Sequence, residues 1–509
     1  VASKFFLLHL KLNGSVWLFL LVGVAMRCVA INQPLVDAHL IRQCQTAAAT
    51  KSLIETPGFH LSARAPWMGD LDAPYILELP IYNYLVMGVN HVTGRLDLSG
   101  KVTSILLWAL SLVCLQFIWR RVLDSQQTLW ANLLFVLAPI SLFYGQAFMP
   151  EMLVQALAFA FVLLVLRYNE DRSLFRWGLC VGVGLTGLLV KLPEIGHLYL
   201  ILVFLIIRGE GWKALARPRY LVAAVLTILA LKGWSHYVDS VNATYFPEFT
   251  SSEVARYLVG PLASRLQFKP WAFACLYVGA FIVPGPPLLA TVYGLYLSVR
   301  KHRNQFLGVW LVSVAVAYIL WFGTGPTAQS YYNLLALAPL CALFGIGMQK
   351  ILAMKWIRAW PRAAMVSAVL LVALPAIPVW KYLFKQDRQI LAASRWAAEN
   401  TLKTDIILFR INHRPDMASY SYNTVPTYYS ERLAFIWTKG IPEVVAQSAL
   451  DHASYAIVTI PPPPVTDALA IVNRFRAKQP PMPESMEWLE KGGFRMLVME
   501  KGFVVYRRN

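Results

Sequence analysis

Asp37, His39 and Arg42 sit close together in the stretch PLVDAHLIRQ, directly after an apolar run that ends near Ile31. A carboxylate at a membrane edge can take a proton from a hydroxyl group. Other polar residues fall at similar places. Arg64 and Glu78 lie in the same polar stretch, Glu151 closes the turn FMPE, and Lys191 and Glu194 belong to KLPE. His236 ends an apolar run, Arg256 lies in the loop after it, and Tyr331 and Tyr332 open another run. Acids, cations and tyrosines gathered on one face suit a reaction between a phosphate and a hydroxyl, because fixed cations stabilise charge on a leaving phosphate.

Each residue also has a purely structural reading. Asp37 precedes an amphipathic segment with Leu40, Ile41, Cys44 and Ala48 on one side, and an acid near a helix start is favoured by the helix dipole. Glu151 follows Pro150, and Glu194 follows Pro193, both ordinary helix starts. Lys191 can snorkel as an end anchor. His236 and Arg256 suit an interface, and tyrosines at span ends form aromatic belts.

The elements that would position these residues follow from composition. Hydrophobic residues make up 57% of the 509-residue chain and charged residues 14%. Soluble domains carry about a quarter charged. The chain reads as a polytopic α-helical membrane protein. Its net charge of +19 comes from short basic groups between apolar runs, not from one basic face with aromatic partners, which excludes a nucleic-acid partner. Membrane lipids are expected partners. None of the six cysteines forms a CxxC pair, so neither a disulfide framework nor a zinc site is predicted. P-loop, dinucleotide-fold and HExxH motifs are missing from the sequence.

A span needs roughly 20 apolar residues. Runs near 12–31, 98–119, 128–146, 149–167, 174–190, 193–207, 219–236, 271–299, 305–323, 331–348 and 362–382 predict about eleven transmembrane helices. The first is read as an uncleaved helix following Lys4 and Lys11. The segment 75–94 carries Glu78, Pro80, Asn83, Asn90 and His91, which are costly in lipid. If it lies in the interface, the loops with Arg120/Arg121, Arg167/Arg172/Arg176, Arg208/Lys213/Arg217/Arg219, Arg300/Lys301/Arg303 and Lys350/Lys355/Arg358/Arg362 all share the side of Lys4 and Lys11. The turns GQAFMPE and GTGPTAQS, without Lys or Arg, then lie opposite. The positive-inside rule selects this topology, with the N-terminus cytoplasmic and the C-terminus outside. Residues 1–382 are assigned to a membrane domain with a first outer loop at 32–97. Residues 383–509 are assigned to a soluble α/β domain. There TDIILFRI, ASYAIVTI and FRMLVMEKGFVVYRR read as strands, the last a hairpin about Lys501-Gly502. DRQILAASRWAAEN and TDALAIVNRFRAK read as helices, and PPPP at 461–464 as a stiff connector.

Six stretches, in order, resemble the GT-C superfamily of membrane glycosyltransferases, in particular the branch with protein O-mannosyltransferases and lipid A aminoarabinose transferase. They are PLVDAHLIRQ, LELPIYNYLVMGVNHVTG, LVCLQFIWRRVL, LFYGQAFMPEMLVQALAFAF, GVGLTGLLVKLPEIG and SYYNLLALAPLCALFGIG. The resemblance covers roughly residues 10–385. It implies that Asp37 is the catalytic acid of the first loop, that Glu78 and Glu151 are supporting acids, and that Lys191 matches the lysine of the family's TKG. The chain departs from that branch at Leu79, where a donor-phosphate lysine is usual, at Ile81 for a second proline, and at Ala38 for the Glu of an Asp-Glu pair. Lys191, Arg64 and Arg256 are therefore the expected phosphate ligands. His39, His236, Tyr331 and Tyr332 are further site-lining candidates. No cofactor is assigned; a divalent metal stays open, because no histidine ligand can be placed by spacing.

The function this implies is an inverting transfer of a sugar from a polyprenyl-phosphate donor to a hydroxyl of a lipid, glycan or protein, at the outer face of the bacterial inner membrane. Two rivals remain at this stage. A lipid-linked sugar flippase would place ionisable residues mid-span. A polymerase or ligase using a lipid diphosphate would need several close cations, and Arg256, Arg265 and Lys269 permit that.

Overall fold

Long apolar helices dominate the computed structural model, which describes residues 14–69, 73–301, 304–321, 329–411, 423–437, 449–459, 489, 492–500 and 503–508. Lys4, Lys11, most of GTGPTAQS, the 461–464 connector, TDALAIVNRFRAK and the Lys501-Gly502 turn lie outside the described residues. Two compact units emerge. One is Val1–Gln33 with Ile76–Phe384, the other Pro34–Tyr75 with Lys385–Asn509.

In the first unit, six helical stretches are long and apolar enough to cross a bilayer: Leu96–Val122, Glu151–Asp171, Leu192–Glu210, Pro218–Asn242, Ser330–Leu352 and the one starting at Pro361. Val16–Cys28, Leu174–Val190 and Gln305–Leu320 are shorter apolar helices. The expected single span at 271–299 is instead two helices, Phe268–Phe281 and Pro286–Arg300, bent by 110°. Pro284, Pro286 and Pro287 remove backbone donors there, and Gly285 adopts φ +69. Counted as one span, this pair raises the number to seven among the described residues, so the sequence count of about eleven is not reached by length and apolarity alone. The run 128–146 likewise divides at Ala138, before Pro139, into Ser125–Leu137 and Pro139–Tyr144. Within 75–94 the helix is Ile81–Thr93, 13 residues long. At 1.5 Å per residue it reaches about 20 Å, short of a hydrocarbon core of about 30 Å.

Polar side chains fasten the first helix, Gly14–Cys28, to its neighbours. Fully buried Arg27 stacks on Trp108 at 3.5 Å and donates to the Gly23 carbonyl at 2.9 Å and the Ser141 carbonyl at 2.8 Å. Lys101 donates to the carbonyls of Ala30 at 3.0 Å and Gln33 at 2.6 Å, just past the helix end. A cation there complements the negative end of the helix dipole.

Helices Pro286–Lys301 and Leu334–Leu352 touch backbone to backbone. A Cβ added to Gly347 would lie 1.8 Å from the Ala290 carbonyl oxygen, and one on Gly294 would lie 1.9 Å from that of Leu343. Neither carbonyl can swing aside as a side chain could, and small residues are what permit such contact between membrane helices. Gly347→Val should therefore separate the pair and lower the melting temperature in detergent. Gly308→Val, with nothing within 4 Å of its added Cβ, should leave it unchanged. Equal melting curves for the two variants would refute the close-packing argument.

The second unit holds a five-stranded mixed sheet. Its strands are β1 (Ile407–Ile411), β2 (Ala434–Ile436), β3 (Tyr455–Thr459), β4 (Phe494–Glu500) and β5 (Phe503–Arg508), in the order β2-β1-β3-β5-β4. β1 pairs in parallel with β2 and β3, while β5 runs antiparallel to β3 and β4. Leu408, Phe435, Ala456, Val458, Phe494, Val504 and Tyr506 form its core. DRQILAASRWAAEN is helical over Arg388–Asn400, where Asp387 accepts from the Ile390 N–H.

Pro34–Tyr75, part of the 32–97 loop assigned to the membrane domain, belongs to this second unit instead, a correction to the sequence division. Met68 bridges Phe435, the Gly69 N–H donates to the Ala434 carbonyl at 3.0 Å, and the Ala434 N–H donates to that of Pro66 at 3.3 Å. Residues 66–69 thus occupy the free edge of β2, where unpaired backbone groups need partners. Gly69 at φ +61 brings its Cα against the Phe435 ring, where a Cβ would approach within 2.3 Å. Leu35 N–H to Tyr429 hydroxyl at 2.6 Å and Asp387 N–H to Val36 carbonyl at 2.7 Å secure the start of the segment.

Candidate active site

Asp37 belongs to the second unit. It is 5% exposed. The helix after it is Leu40–Glu55, with His39 as N-cap in the left-handed region at φ 58 and no acid in the first turn. Asp37 therefore lies ahead of the N-cap, outside the first turn of that helix, where the dipole acts. Gln43, one turn into the helix, donates from Nε2 to Asp37 Oδ1 at 2.5 Å and to the Ala38 carbonyl at 3.0 Å. The amide thus fixes the carboxylate's direction. Tyr75, also buried here, donates to the Gln45 carbonyl at 3.3 Å and meets Trp67 edge-on at 4.8 Å. Burial pushes its hydroxyl well above the ordinary phenol range, and Arg42 offsets part of that shift. His39 is half-buried and Arg64, on a two-residue ladder with Pro74–Tyr75, is exposed.

In the first unit, Glu151, Lys191, Tyr331 and Tyr332 come together. Two prolines explain how. Pro150 starts the helix that places Glu151 in its first turn. Pro193 cannot continue the helix Leu174–Val190, so Lys191 sits extended at the break, φ −159, before the short helix Leu192–Gly196. From there Lys191 Nζ reaches Glu151 Oε1 at 2.8 Å and Glu194 Oε1 at 2.9 Å. Its ammonium lies 4.2 Å from the Tyr331 ring centroid and 4.9 Å from that of Tyr332. Such contacts favour a cation through the ring quadrupole. The tyrosines lie on the 3-10 turn Ser330–Asn333, held by a Tyr144–Ser330 hydroxyl contact at 2.8 Å and by Tyr318 donating to Asn333 Oδ1 at 2.7 Å.

Glu78, Arg256 and His236 lie on other elements of this unit. Glu78 is half-buried ahead of the helix Ile81–Thr93. Arg256, on the helix Ser251–Val259, pairs with Glu253 at 2.7 Å and its side chain is 76% exposed. His236 is exposed and does not end its helix, which runs on to Asn242. There Asn242 clamps Ile76, accepting from its N–H at 2.9 Å and donating to its carbonyl at 2.8 Å.

Sequence reasoning treated Glu194 as a helix-start residue and did not single out Gln155 or His197. The structure lines one small cavity with all three, together with Glu151, Phe159, Trp310 and Leu334. Their spacing was a signal. Gln155 is four residues after Glu151 and His197 three after Glu194, each on one helical face inside an apolar run. Among the described residues, no three His, Cys, Asp or Glu side chains meet as a metal site requires.

Residues 72–235 match the family model for dolichyl-phosphate-mannose-protein mannosyltransferase. No curated protein matches the sequence. The fold is similar to that of ArnT from Cupriavidus metallidurans, solved with undecaprenyl phosphate bound, at a TM-score of 0.66 and 12% identity over 97% of this chain and 98% of that one. It is also similar to the oligosaccharyltransferase AglB from Archaeoglobus fulgidus, solved with an inhibitory peptide and a dolichol-phosphate, at a TM-score of 0.54 and 12% identity over 87% and 69% of the chains. The GT-C resemblance read from the sequence therefore holds at the level of fold.

Proposed function

We propose that this chain is an inverting glycosyltransferase that moves a sugar from a polyprenyl-phosphate donor to a hydroxyl of a lipid, glycan or protein. The observation that carries the reading is Asp37, a buried carboxylate ahead of the helix Leu40–Glu55 that accepts from Gln43. In this mechanism Asp37 takes the acceptor's proton as its oxygen attacks the anomeric carbon from the side opposite the phosphate. Lys191, braced by the two tyrosines, meets the donor phosphate and stabilises the charge left on it as the glycosidic bond breaks. Arg64 and Arg256 are weaker phosphate ligands in this scheme, since both are solvent-exposed. The lipid tail lies along apolar helix surfaces. The likeness to a protein solved with undecaprenyl phosphate supports a lipid-phosphate partner.

The membrane arrangement belongs to the same proposal: about eleven spans, a cytoplasmic N-terminus and a periplasmic second unit in a bacterial inner membrane, as the distribution of Lys and Arg supports. Mass spectrometry of lipids that copurify with the protein tests the donor. A polyprenyl-phosphate hexose or pentose is the expected species. A lipid-diphosphate glycan in its place would favour a polymerase or ligase and overturn the donor assignment.

Lys191 enters this scheme engaged with Glu151 and Glu194. With all three ionised, two carboxylates and one ammonium leave one net negative charge, which opposes an incoming phosphate. The phosphate must draw Lys191 away from one carboxylate.

A further inference from the structure

The cavity beside Lys191 shows which carboxylate yields. It offers about 30 Å³ to water-sized molecules, and its walls are otherwise apolar, with Phe159, Trp310 and Leu334 among them. Polar atoms nonetheless point into it. Both ends of the Gln155 amide and the Glu194 Oε2 atom are buried without a hydrogen-bond partner among the described residues. So are both ring nitrogens of His197; the Pro193 carbonyl is near but makes no well-formed hydrogen bond with them. Gln155 is 5% exposed, His197 6% and Glu194 7%. Buried polar groups are almost always satisfied, by protein or by ordered water. A water needs about 10–15 Å³ of such space and two or more polar partners, so this cavity has room and partners for about two.

We infer that the cavity is a built water site joining Gln155, Glu194 and His197, and that Glu194 acts through it as a positioning residue, holding Lys191 when ionised and releasing it to a lipid phosphate on taking up one proton. This rests on the assignment of Lys191 to the donor phosphate. The step balances: one proton passes from a buffer acid, which is left as its conjugate base, through solvent to the Glu194 carboxylate, while the Lys191 ammonium keeps its protons. His197 can pass a proton because one ring nitrogen accepts while the other donates. Glu151 is the other carboxylate on Lys191, and it stands in the first turn of a 21-residue helix, where the dipole favours a carboxylate. Glu194 also stands in the first turn of a helix, but that helix has only five residues and a correspondingly small dipole. Among the described residues, the charged and titratable groups at Glu194 are Glu151 from the helix Glu151–Asp171, and Lys191 and His197 from its own segment; Tyr331 and Tyr332 lie against Lys191. The helix Gln305–Leu320 contributes Trp310 and carries no charged residue, and the charged residues of Leu174–Val190 and Leu334–Leu352, Arg176 and Lys350, lie at their far ends.

Titration calorimetry with undecaprenyl phosphate at pH 8, in two buffers of different ionisation enthalpy, counts protons taken up on binding. Wild type should take up about one proton more than Glu194→Gln, a difference from which the lipid's own titration cancels. Glu194→Gln should bind at least as tightly as wild type, and Glu194→Asp should restore the uptake. Equal proton counts, or tenfold weaker binding by a Glu194→Gln protein of unchanged melting temperature, would overturn the inference. Infrared difference spectra report the waters. A water O–H band that shifts in H2(18)O and disappears in His197→Phe is expected; its absence from wild type would refute the water site. Lys191→Met separates the two levels of the argument. If it binds the lipid as wild type does, the phosphate assignment itself fails; if it loses binding while proton counts are equal in wild type and Glu194→Gln, only the present inference fails.

Discussion

Replacing Lys191 with Met should cost about 3–5 kcal/mol of stability, the usual consequence of removing one partner of a buried ion pair. The size follows from burial. The side chains of Glu151, Glu194 and Lys191 are 2%, 8% and 10% exposed, so water cannot take over the lost charge. Lys191→Met leaves two carboxylates close together with a methyl-capped chain between them. Melting in detergent measures the loss. A second variant isolates its cause. Adding Glu151→Gln to Lys191→Met removes the repulsion and should recover most of the stability, yet should not restore binding of undecaprenyl phosphate. Recovery of both would mean that Lys191 serves only to neutralise Glu151. A Lys191→Met protein as stable as wild type would mean that the ion pairs contribute nothing, and the trio could not be the organising feature of this unit.

The trio also shows where sequence reading stops. Glu151 and Lys191 were legible as polar residues at the ends of apolar runs, and Pro150 and Pro193 marked the breaks that expose them. Their pairing was not, because it joins residues 40 apart through the packing of three helices. Glu194 was visible in KLPE, but proline and an acid at a helix start need no partner to explain them, so nothing local called for the lysine. Gln155 and His197 were hidden by the opposite effect: a hydropathy window averages a lone polar residue into its apolar neighbours. The same averaging concealed the 110° bend, although VPGPP lies in plain view inside 271–299. The docking of residues 66–69 on β2 had no local signature at all, since Met68 meets Phe435 across most of the chain. Asp37 was legible as a candidate because it directly follows an apolar run. What the structure added is the start of that helix at Leu40, which leaves Asp37 ahead of its first turn.

Asp37→Asn should lower sugar transfer by about 10²–10⁴-fold, the range for loss of a general base. The replacement keeps the volume and one carbonyl oxygen. Gln43 can still donate to that oxygen, so the fold around Leu40–Glu55 should survive and the melting temperature should hold. The amide cannot accept the acceptor's proton. A structural role for Asp37 predicts the reverse pattern. There the loss of a buried charge partner would lower the melting temperature, while any transfer activity of the surviving folded protein stayed at the wild-type rate. Gln43→Leu sharpens the contrast. It leaves the carboxylate in place but removes the amide that donates to Oδ1, and a catalytic group displaced by about 1 Å loses much of its effect. The expected outcome is a kcat reduced about tenfold or more, with KM for the lipid donor unchanged, because the donor phosphate is held by other residues. A folded Asp37→Asn protein that transfers sugar at the wild-type rate would remove Asp37 from the chemistry, and the buried carboxylate with its dedicated amide would then need another purpose.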